Sequence, residues 1–366
     1  MGRAKTYPYD PDYAVHPGEI LQEMLEARNM KHGDLAERCG LTPKTVSQII
    51  HGKAPITPET AVKLERVLGI SAKLWGNLET NYQVFQARLA DRYHLQGNEK
   101  WIEEFPIKQL VQRRILQQRK STVEMMEQLL EFLGVGSIQA WEDRVAELEV
   151  AFRRSPSFQG SPASVATWLR IGELRAAGID CARYDKSEFA NALSKIRGLT
   201  CEDPHVFDPD MKRLCARAGV ALILVKELPK THLSGATRWL DKGNKALIVL
   251  SLRHKSDDHF WFSFFHEAGH ILLHGKKTVF LDEEVMEMDG QEEQANRFAA
   301  NLLIPRAKYD KFAAKGRFSS SAVQSFASKL GIAPGIVVGR LQFDQIIPYG
   351  HLNNLKRMFD LHEGDD

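Results

Sequence analysis

The sequence predicts a multidomain protein with an all-α amino-terminal domain, a helical middle region and an α+β carboxy-terminal domain. At 366 residues the chain is longer than one hydrophobic core usually supports. Apolar residues recur at helical spacing through the first half of the chain, whereas continuous runs rich in β-branched residues appear only after Pro204. The predicted domains are residues 1–90, 91–204 and 205–366.

Composition and charge are those of an ordinary globular protein. Hydrophobic residues make up 43% and charged residues 26% of the chain, which excludes the disordered and fibrous classes. The formal net charge of +2 gives no general attraction to nucleic acid, so any DNA contact has to rest on a local surface. The four cysteines form no Cys-x-x-Cys pair, and no apolar run reaches the length of a signal peptide or membrane span. We therefore expect a cytoplasmic protein with no membrane partner.

The amino-terminal segment carries the signals of a compact helical domain. Helical apolar spacing begins after His16, and Gly40 suits the left-handed conformation that ends a short second helix. Thr42 and Thr57 are each followed by proline, the arrangement of a capping residue with proline at the first helical position. A fifth helix is predicted to end near Tyr82. The second and third helices with the turn between them predict a helix-turn-helix motif.

The helix after Gly40 is the candidate DNA-reading helix. The segment from Leu41 to Pro58 contains no acidic residue, so its surface can face phosphates although the whole chain is nearly neutral. Lysine suits guanine and glutamine suits adenine in the major groove. The candidate contacts are Lys44, Thr45 and Gln48 to base edges and Ser47, His51 and Lys53 to the phosphate backbone. A five-helix module that binds protein instead of DNA is the alternative.

The carboxy-terminal domain is predicted to combine a small sheet with helices. The runs 220–225 and 246–250 have the length and composition of buried strands. Helices are predicted at 257–273, 291–303, 321–330 and 334–343. A second helix-turn-helix spacing within 323–341 is assigned to core packing and not to DNA binding. The helical middle region shows no motif that carries chemistry.

The predicted helix 257–273 contains a His-Glu-x-x-His pattern. His266 and His270 are four positions apart, so both imidazoles project from one helix face and can bind one metal ion. Zinc suits two neutral imidazoles plus one carboxylate, which leaves a fourth position for water. Glu267 is placed to act as the general base. A chance occurrence of the pattern is the alternative, but a largely apolar helix tolerates these polar groups poorly unless a metal compensates them.

The third zinc ligand is predicted to be Glu292, with Glu293 left as the alternative. The other positions on the Glu292 face are mostly small or apolar: Ala295, Asn296, Ala299 and Leu303. His274 lies too far along the helix axis to share the ion with His266. We expect it to support a ligand, face the substrate or interact with the helix end, or to serve packing alone.

These motifs resemble those of the ImmA/IrrE metallo-endopeptidases. The similar stretches are 250–253, 260–262, 266–275 and 292–305. The resemblance implies a small zincin-like α+β domain that cleaves a regulatory repressor protein. It also implies His266, His270 and Glu292 as zinc ligands and Glu267 as the catalytic base.

The segment from His16 to Tyr82 is similar to HigA-type antitoxins of the Xre helix-turn-helix class. This resemblance implies a homodimer on palindromic operator DNA. The two resemblances together imply a DNA-binding transcriptional regulator with a zinc-dependent endopeptidase domain acting on a repressor or toxin protein. The alternative is a non-enzymatic HigA-type antitoxin or autorepressor whose zincin-like domain binds a toxin or senses a ligand.

Overall fold

The computed structural model describes residues 13–152, 160–251, 253, 256–274, 280–282 and 290–359. Leu252 and Gly275, which belong to the stretches compared above, lie outside these ranges. The chain divides into two compact units, Met1–Glu99 and Lys100–Asp366. The boundaries at 90/91 and 204/205 stay predictions.

The first unit is a bundle of α-helices with the capping expected from the sequence. Thr42 accepts a hydrogen bond from the Thr45 backbone N–H at 3.0 Å, and Gly40 has a φ of 60°. The helices that the structure describes here are α1 (Pro17–Ala27), α2 (His32–Cys39), α3 (Pro43–Ile50), α4 (Pro58–Leu68) and α5 (Ala72–Gln96).

The predicted end of the fifth helix is wrong, because α5 continues from Tyr82 to Gln96. No glycine or proline interrupts this stretch, and its residues include many good helix formers. The first part of α5 packs on the core through fully buried Trp75. Glu79 is also buried, and its Oε2 accepts a hydrogen bond from the Ile56 backbone N–H at 3.0 Å.

Close packing also fixes the position of α3 in the first unit. A Cβ atom at Gly18 would lie 2.2 Å from the carbonyl oxygen of Ile49, so only glycine permits this approach of α1 to the end of α3. Val46 and Ile49 bury the inner face of α3 in the core. The opposite face of the candidate DNA-reading helix is therefore presented outward.

The second unit contains a mixed sheet whose strands are β1 (Val220–Val225), β2 (Gly235–Leu240), β3 (Lys245–Ser251) and β4 (Phe280–Asp282). Within the described ranges the strand order is β1-β3-β2-β4, with β1 parallel to β3 and β2 antiparallel to β3 and β4. All six residues of β1 are buried, which explains its continuous apolar sequence. The strands β1 and β3 were predicted, whereas β2 and β4 were not.

Helices cover this sheet and extend beyond it. Those before β1 are α6 (Ile107–Gln112), α7 (Thr122–Leu133), α8 (Ile138–Phe152), α9 (Pro162–Ala177), α10 (Lys186–Gly198) and α11 (Pro204–Arg217). Those after β3 are α12 (Asp257–Leu273), α13 (Gly290–Leu303), α14 (Arg306–Ala313), α15 (Ser320–Leu330) and α16 (Pro334–Phe343). The helix α12 packs against β2, β3, α13 and α16, and it is thus the central helix of this unit.

The core of the second unit is built around the apolar face of α12. Trp261, Phe264 and Phe265 are fully buried in it. Val323 of α15 and Val337 of α16 belong to the same core, so the helix-turn-helix spacing near the carboxy terminus serves packing, as predicted.

Across the ranges given above, no single helix is long and apolar enough to span a membrane, and α15 and α16 pass that test only as a pair bent by 112°.

Candidate metal centre and DNA-facing helix

Small residues let α12 and α13 approach each other closely. A Cβ atom at Gly269 would lie 3.2 Å from the Cα atom of Ala295 and 3.1 Å from Cδ1 of Phe298. Ala295 and Ala299 are fully buried in this contact. The close approach brings the first turn of α13 next to the histidines of α12.

Three side chains converge where these helices meet. The Nε2 atom of His266 lies 3.1 Å from Oε2 of Glu292, and Nε2 of His270 lies 3.2 Å from Oε1 of Glu292. The two Nε2 atoms are 2.9 Å apart. In the part of the chain that the structure describes, no other three His, Cys, Asp or Glu side chains bring their ligand atoms within 4.8 Å of one another.

This donor set fits a divalent metal ion. Ligands placed tetrahedrally at about 2.0–2.2 Å from zinc are separated by about 3.3–3.5 Å, slightly more than the distances found between these three groups. Two imidazole nitrogens and one carboxylate are also a common ligand combination. The site can therefore hold an ion after small movements of the side chains.

The protonation states of the site also suit metal binding. Burial lowers the pKa of His270 to about 4, although its hydrogen bond with Glu292 acts in the opposite direction. Burial alone would raise the pKa of Glu292, but hydrogen bonds with His266 and His270 lower it to about 2. Near neutral pH the imidazole of His270 is thus uncharged and the carboxylate is ionised, as ligands must be.

Two further side chains contact the Nδ1 atoms of these imidazoles, on the side of each ring away from the centre. Nδ1 of His266 lies 2.8 Å from Oδ1 of Asn296, and Nδ1 of His270 lies 3.0 Å from Nδ1 of His274. An Nδ1–H that donates to either partner leaves the Nε2 lone pair directed at the centre. Support of a ligand was one of the roles left open for His274. The contact of Asn296 was not predicted, although its position four residues after Glu292 on one helix face could have indicated it.

Glu267 of α12 is fully buried, and its carboxylate lies against β2 of the sheet. A Cβ atom at Gly235 in β2 would lie 2.7 Å from Oε1 of Glu267, so a side chain at this position would displace the carboxylate. Sequence reasoning missed Gly235. Its signal is only that a glycine within a strand often marks a close approach of another group.

Glu293, the alternative ligand, points away from the histidines. Its carboxylate pairs with Arg297 on an exposed face of α13. Of the two adjacent glutamates, the structure thus brings only Glu292 to the centre.

The six candidate DNA contacts lie on α3 and in the turn after it. Lys44, His51 and Lys53 are exposed, whereas Thr45, Ser47 and Gln48 are half-buried. Thr45 Oγ1 lies 2.8 Å from Oγ1 of the capping Thr42, and Nδ1 of His51 lies 2.7 Å from the carbonyl oxygen of Ser47. Local hydrogen bonds thus hold both ends of the helix in place.

Two parts of the chain match models of known protein families. The model described as "Helix-turn-helix" matches residues 21–75, which span α2 and α3. The peptidase M78 model, described as "IrrE N-terminal-like domain", matches residues 218–342, which contain the candidate metal centre.

Curated relatives match about a fifth of the chain. The HTH-type transcriptional regulator YddM of Escherichia coli K12 is 38% identical over 71 residues, which are 19% of this chain and 76% of that protein. Virulence-associated protein I of Dichelobacter nodosus is 35% identical over 75 residues, which are 20% of this chain and 69% of that protein.

Solved structures are similar to about a quarter of the chain. Pseudomonas aeruginosa antitoxin HigA, solved with the higBA promoter, is 29% identical and has a TM-score of 0.22 over 23% of this chain and 94% of its own. An addiction module antidote protein of the HigA family from Coxiella burnetii is 31% identical, with a TM-score of 0.20 over 25% of this chain and 91% of its own.

Proposed function

Because the chain belongs to the helix-turn-helix transcriptional regulators and carries an IrrE N-terminal-like domain, we propose that it is a DNA-bound regulator that cleaves a regulatory protein with a zinc-dependent endopeptidase site. The observation that carries the enzymatic half is the convergence of His266, His270 and Glu292. Glu267, the residue after His266 on α12, is fully buried. The substrate is a repressor or toxin protein in this proposal. A regulator of this kind acts in the cytoplasm, where its operator lies.

Different side chains have different roles in the proposed reaction. His266, His270 and Glu292 would hold the ion, which when bound would supply Lewis-acid polarisation of a carbonyl and make water at the site more acidic. Glu267 follows His266 directly on α12, and its carboxylate takes the proton from the attacking water. Glu267 then delivers that proton to the amide nitrogen as the C–N bond breaks, so that one peptide and one water give a carboxylic acid and an amine. Gly235 leaves the space that this carboxylate occupies.

The proposed peptidase is tested by zinc analysis and by incubation of the full chain with the proteins encoded beside its gene. We expect about one zinc ion per chain and cleavage of one of these proteins. Glu267→Gln should keep the zinc and lose cleavage by at least about a hundredfold, because the general base is removed. The matched control is Glu293→Gln, which changes the same residue type on an exposed face of α13. A chain without zinc, or undiminished cleavage by Glu267→Gln, contradicts the proposal.

The DNA-binding half rests on the match of residues 21–75 and on the outward face of α3. We propose that a homodimer places two copies of α3 in successive major grooves of a palindromic operator, with Lys44 and Gln48 reading base edges. Thr45 joins them at the bases, and Ser47, His51 and Lys53 position the phosphate backbone.

Gel shifts on the protein's own promoter test this half. Lys44→Ala and Gln48→Ala should each weaken binding by about 1–3 kcal/mol, because each removes hydrogen bonds to the edge of a base. Lys73→Ala is the control, since Lys73 is an exposed lysine on α5 and not on α3. Unchanged gel shifts for both α3 variants would contradict the placement of α3 in the major groove. Sedimentation that shows a monomer bound to operator DNA would contradict the homodimer.

A second candidate function is a HigA-type antitoxin or autorepressor without enzymatic activity. It is favoured by the curated relatives, because a match to only about a fifth of this chain covers 69–76% of their lengths. Here the carboxy-terminal unit binds a toxin or senses a ligand. This candidate predicts that Glu267→Gln leaves repression and toxin neutralisation intact.

A further inference from the structure

A cavity of about 150 Å³ lies between α12, α13 and α16. Its walls are mostly apolar. The apolar lining comprises Phe262, Ala300, Leu303, Ile304, Ile336 and Phe343. Ligand-binding pockets are concave and mostly apolar, so an apolar space of this size between three helices is a candidate binding site.

The charged groups at the cavity are already paired. Nζ of Lys356 lies 2.6 Å from Oδ2 of Asp258, and Nε of Arg340 lies 2.8 Å from Oδ2 of Asp344. A charged ligand would have to compete with these ion pairs, whereas a neutral apolar group would not. An apolar cavity of about 150 Å³ is also known to bind benzene, so one ring or one branched aliphatic side chain has the right size.

The cavity is joined to the metal centre by one side chain. Phe262 lines the cavity, and its ring centroid lies 6.3 Å from that of His266, which is one helical turn further along α12. Four residues of helix advance by about 6 Å, and an extended peptide advances by about 3.3 Å per residue. A group that packs against Phe262 therefore lies about two extended residues from a peptide bond held beside His266.

The cavity is open to an incoming peptide. Phe343 and Tyr349 line it and are 57% and 69% exposed. Exposed aromatic side chains at the rim of an apolar cavity are typical of recognition sites.

We propose that this cavity is a specificity subsite that takes a large apolar side chain, of the size of leucine, methionine or phenylalanine, from a substrate residue about two positions from the cleaved bond. This inference rests on the proposed peptidase function for its substrate, but not for the binding of an apolar group. The cavity then selects where a protein substrate is cut, because a filled apolar pocket adds binding energy only when the bond lies at the metal centre.

The test uses the zinc-loaded full chain and a peptide library with all residues equally represented. We expect a large apolar residue to be enriched at least about tenfold at one fixed position near the cut. Ala300→Phe, which places a ring in the cavity, should abolish that enrichment. Asn301→Phe adds the same ring at an exposed position of α13 and should keep it. Cleavage without such a preference, or a preference unchanged in Ala300→Phe, overturns the inference.

A second measurement separates this inference from the proposed function. Fluorine NMR of fluorobenzene reports binding to the full chain whether or not any peptide is cleaved. We expect line broadening with the wild-type chain and with Asn301→Phe, and its loss with Ala300→Phe. If the wild-type chain cleaves nothing but binds fluorobenzene in this pattern, the peptidase function is contradicted and the binding of an apolar group in the cavity is supported. Equal broadening by the wild type and Ala300→Phe, or no broadening at all, overturns the cavity.

Discussion

Asn296 contacts the imidazole of His266 on the side away from the metal centre, where its Oδ1 atom lies 2.8 Å from Nδ1 of His266. This hydrogen bond selects the tautomer whose Nε2 atom can bind a metal, and it fixes the orientation of the ring. We expect Asn296→Ala to weaken zinc affinity by about 10- to 100-fold, as is typical when the group that supports a ligand is removed. Competition with a fluorescent chelator measures the affinity. Asn301→Ala, on an exposed position of the same helix, is the control, and equal affinities for the two variants would contradict this role.

Gly235 acts on the same site through the space that it leaves. A methyl group there would lie 2.7 Å from Oε1 of Glu267, so Gly235→Ala should displace the carboxylate. Cleavage should fall by about a hundredfold, the effect of a misplaced catalytic group, while zinc content stays unchanged. Gly136→Ala is the control, because a Cβ atom at Gly136 meets nothing within 4 Å. Loss of zinc, or unchanged turnover, would speak against this arrangement.

At the scale of elements, the first turn of α12 carries an adjacent pair of buried acids. Oδ2 of Asp257 lies 3.5 Å from Nε of Arg357, and Asp258 pairs with Lys356. A Cβ atom at Gly335 of α16 would lie 2.1 Å from Oδ1 of Asp257, so the two helices meet at these carboxylates. Burial first, and then the charge of Asp258, raise the pKa of Asp257 to about 6 against the opposing effect of Arg357.

This raised pKa makes stability depend on pH. In the folded chain Asp257 keeps its proton up to about pH 6, whereas in the unfolded chain it loses the proton near pH 3.9. The raised pKa therefore adds at most about 3 kcal/mol to the free energy of unfolding. This contribution is fully present below about pH 4 and is lost as the pH rises to about 6. In urea unfolding measured from pH 4 to 7, the free energy of unfolding of Asp257→Asn should decline less than that of the wild type. Asp310→Asn, at an exposed aspartate, is the control, and a decline equally steep in Asp257→Asn would contradict the assignment.

Elements with a strong local signal could be predicted from the sequence, and those held by their neighbours could not. Continuous apolar runs indicate the helix α12 and the strands β1 and β3. The strand β2 mixes glycine, threonine and arginine and exists as a strand because it pairs with β3 and β4. At the site, the His-Glu-x-x-His spacing indicated the donors from one helix, whereas Asn296 and Gly235 act across contacts between elements that no local pattern encodes.

At the scale of the whole molecule, the two proposed activities lie in different compact units. Every candidate DNA contact lies within Met1–Glu99, and the three candidate ligands lie within Lys100–Asp366. The core of the first unit is built from its own helices, with Leu35, Val46 and Trp75 among its buried residues. The fold that presents α3 therefore needs no contribution from the metal centre.

Removal of the metal should separate the two activities. A chelator should abolish cleavage, because the ion leaves His266, His270 and Glu292, and readdition of zinc should restore it. Binding to the protein's own promoter should stay within about twofold of its initial affinity, since the interactions that set it are with phosphates and base edges and not with the metal. Gel shifts measure the DNA affinity and cleavage assays measure the peptidase activity, both on one preparation of the full chain. His270→Ala serves as a variant that lacks one metal ligand. If DNA affinity fell together with cleavage in the chelated protein and in His270→Ala, the ion would act on the operator-bound state, and the regulator would be a metal sensor whose two units are coupled.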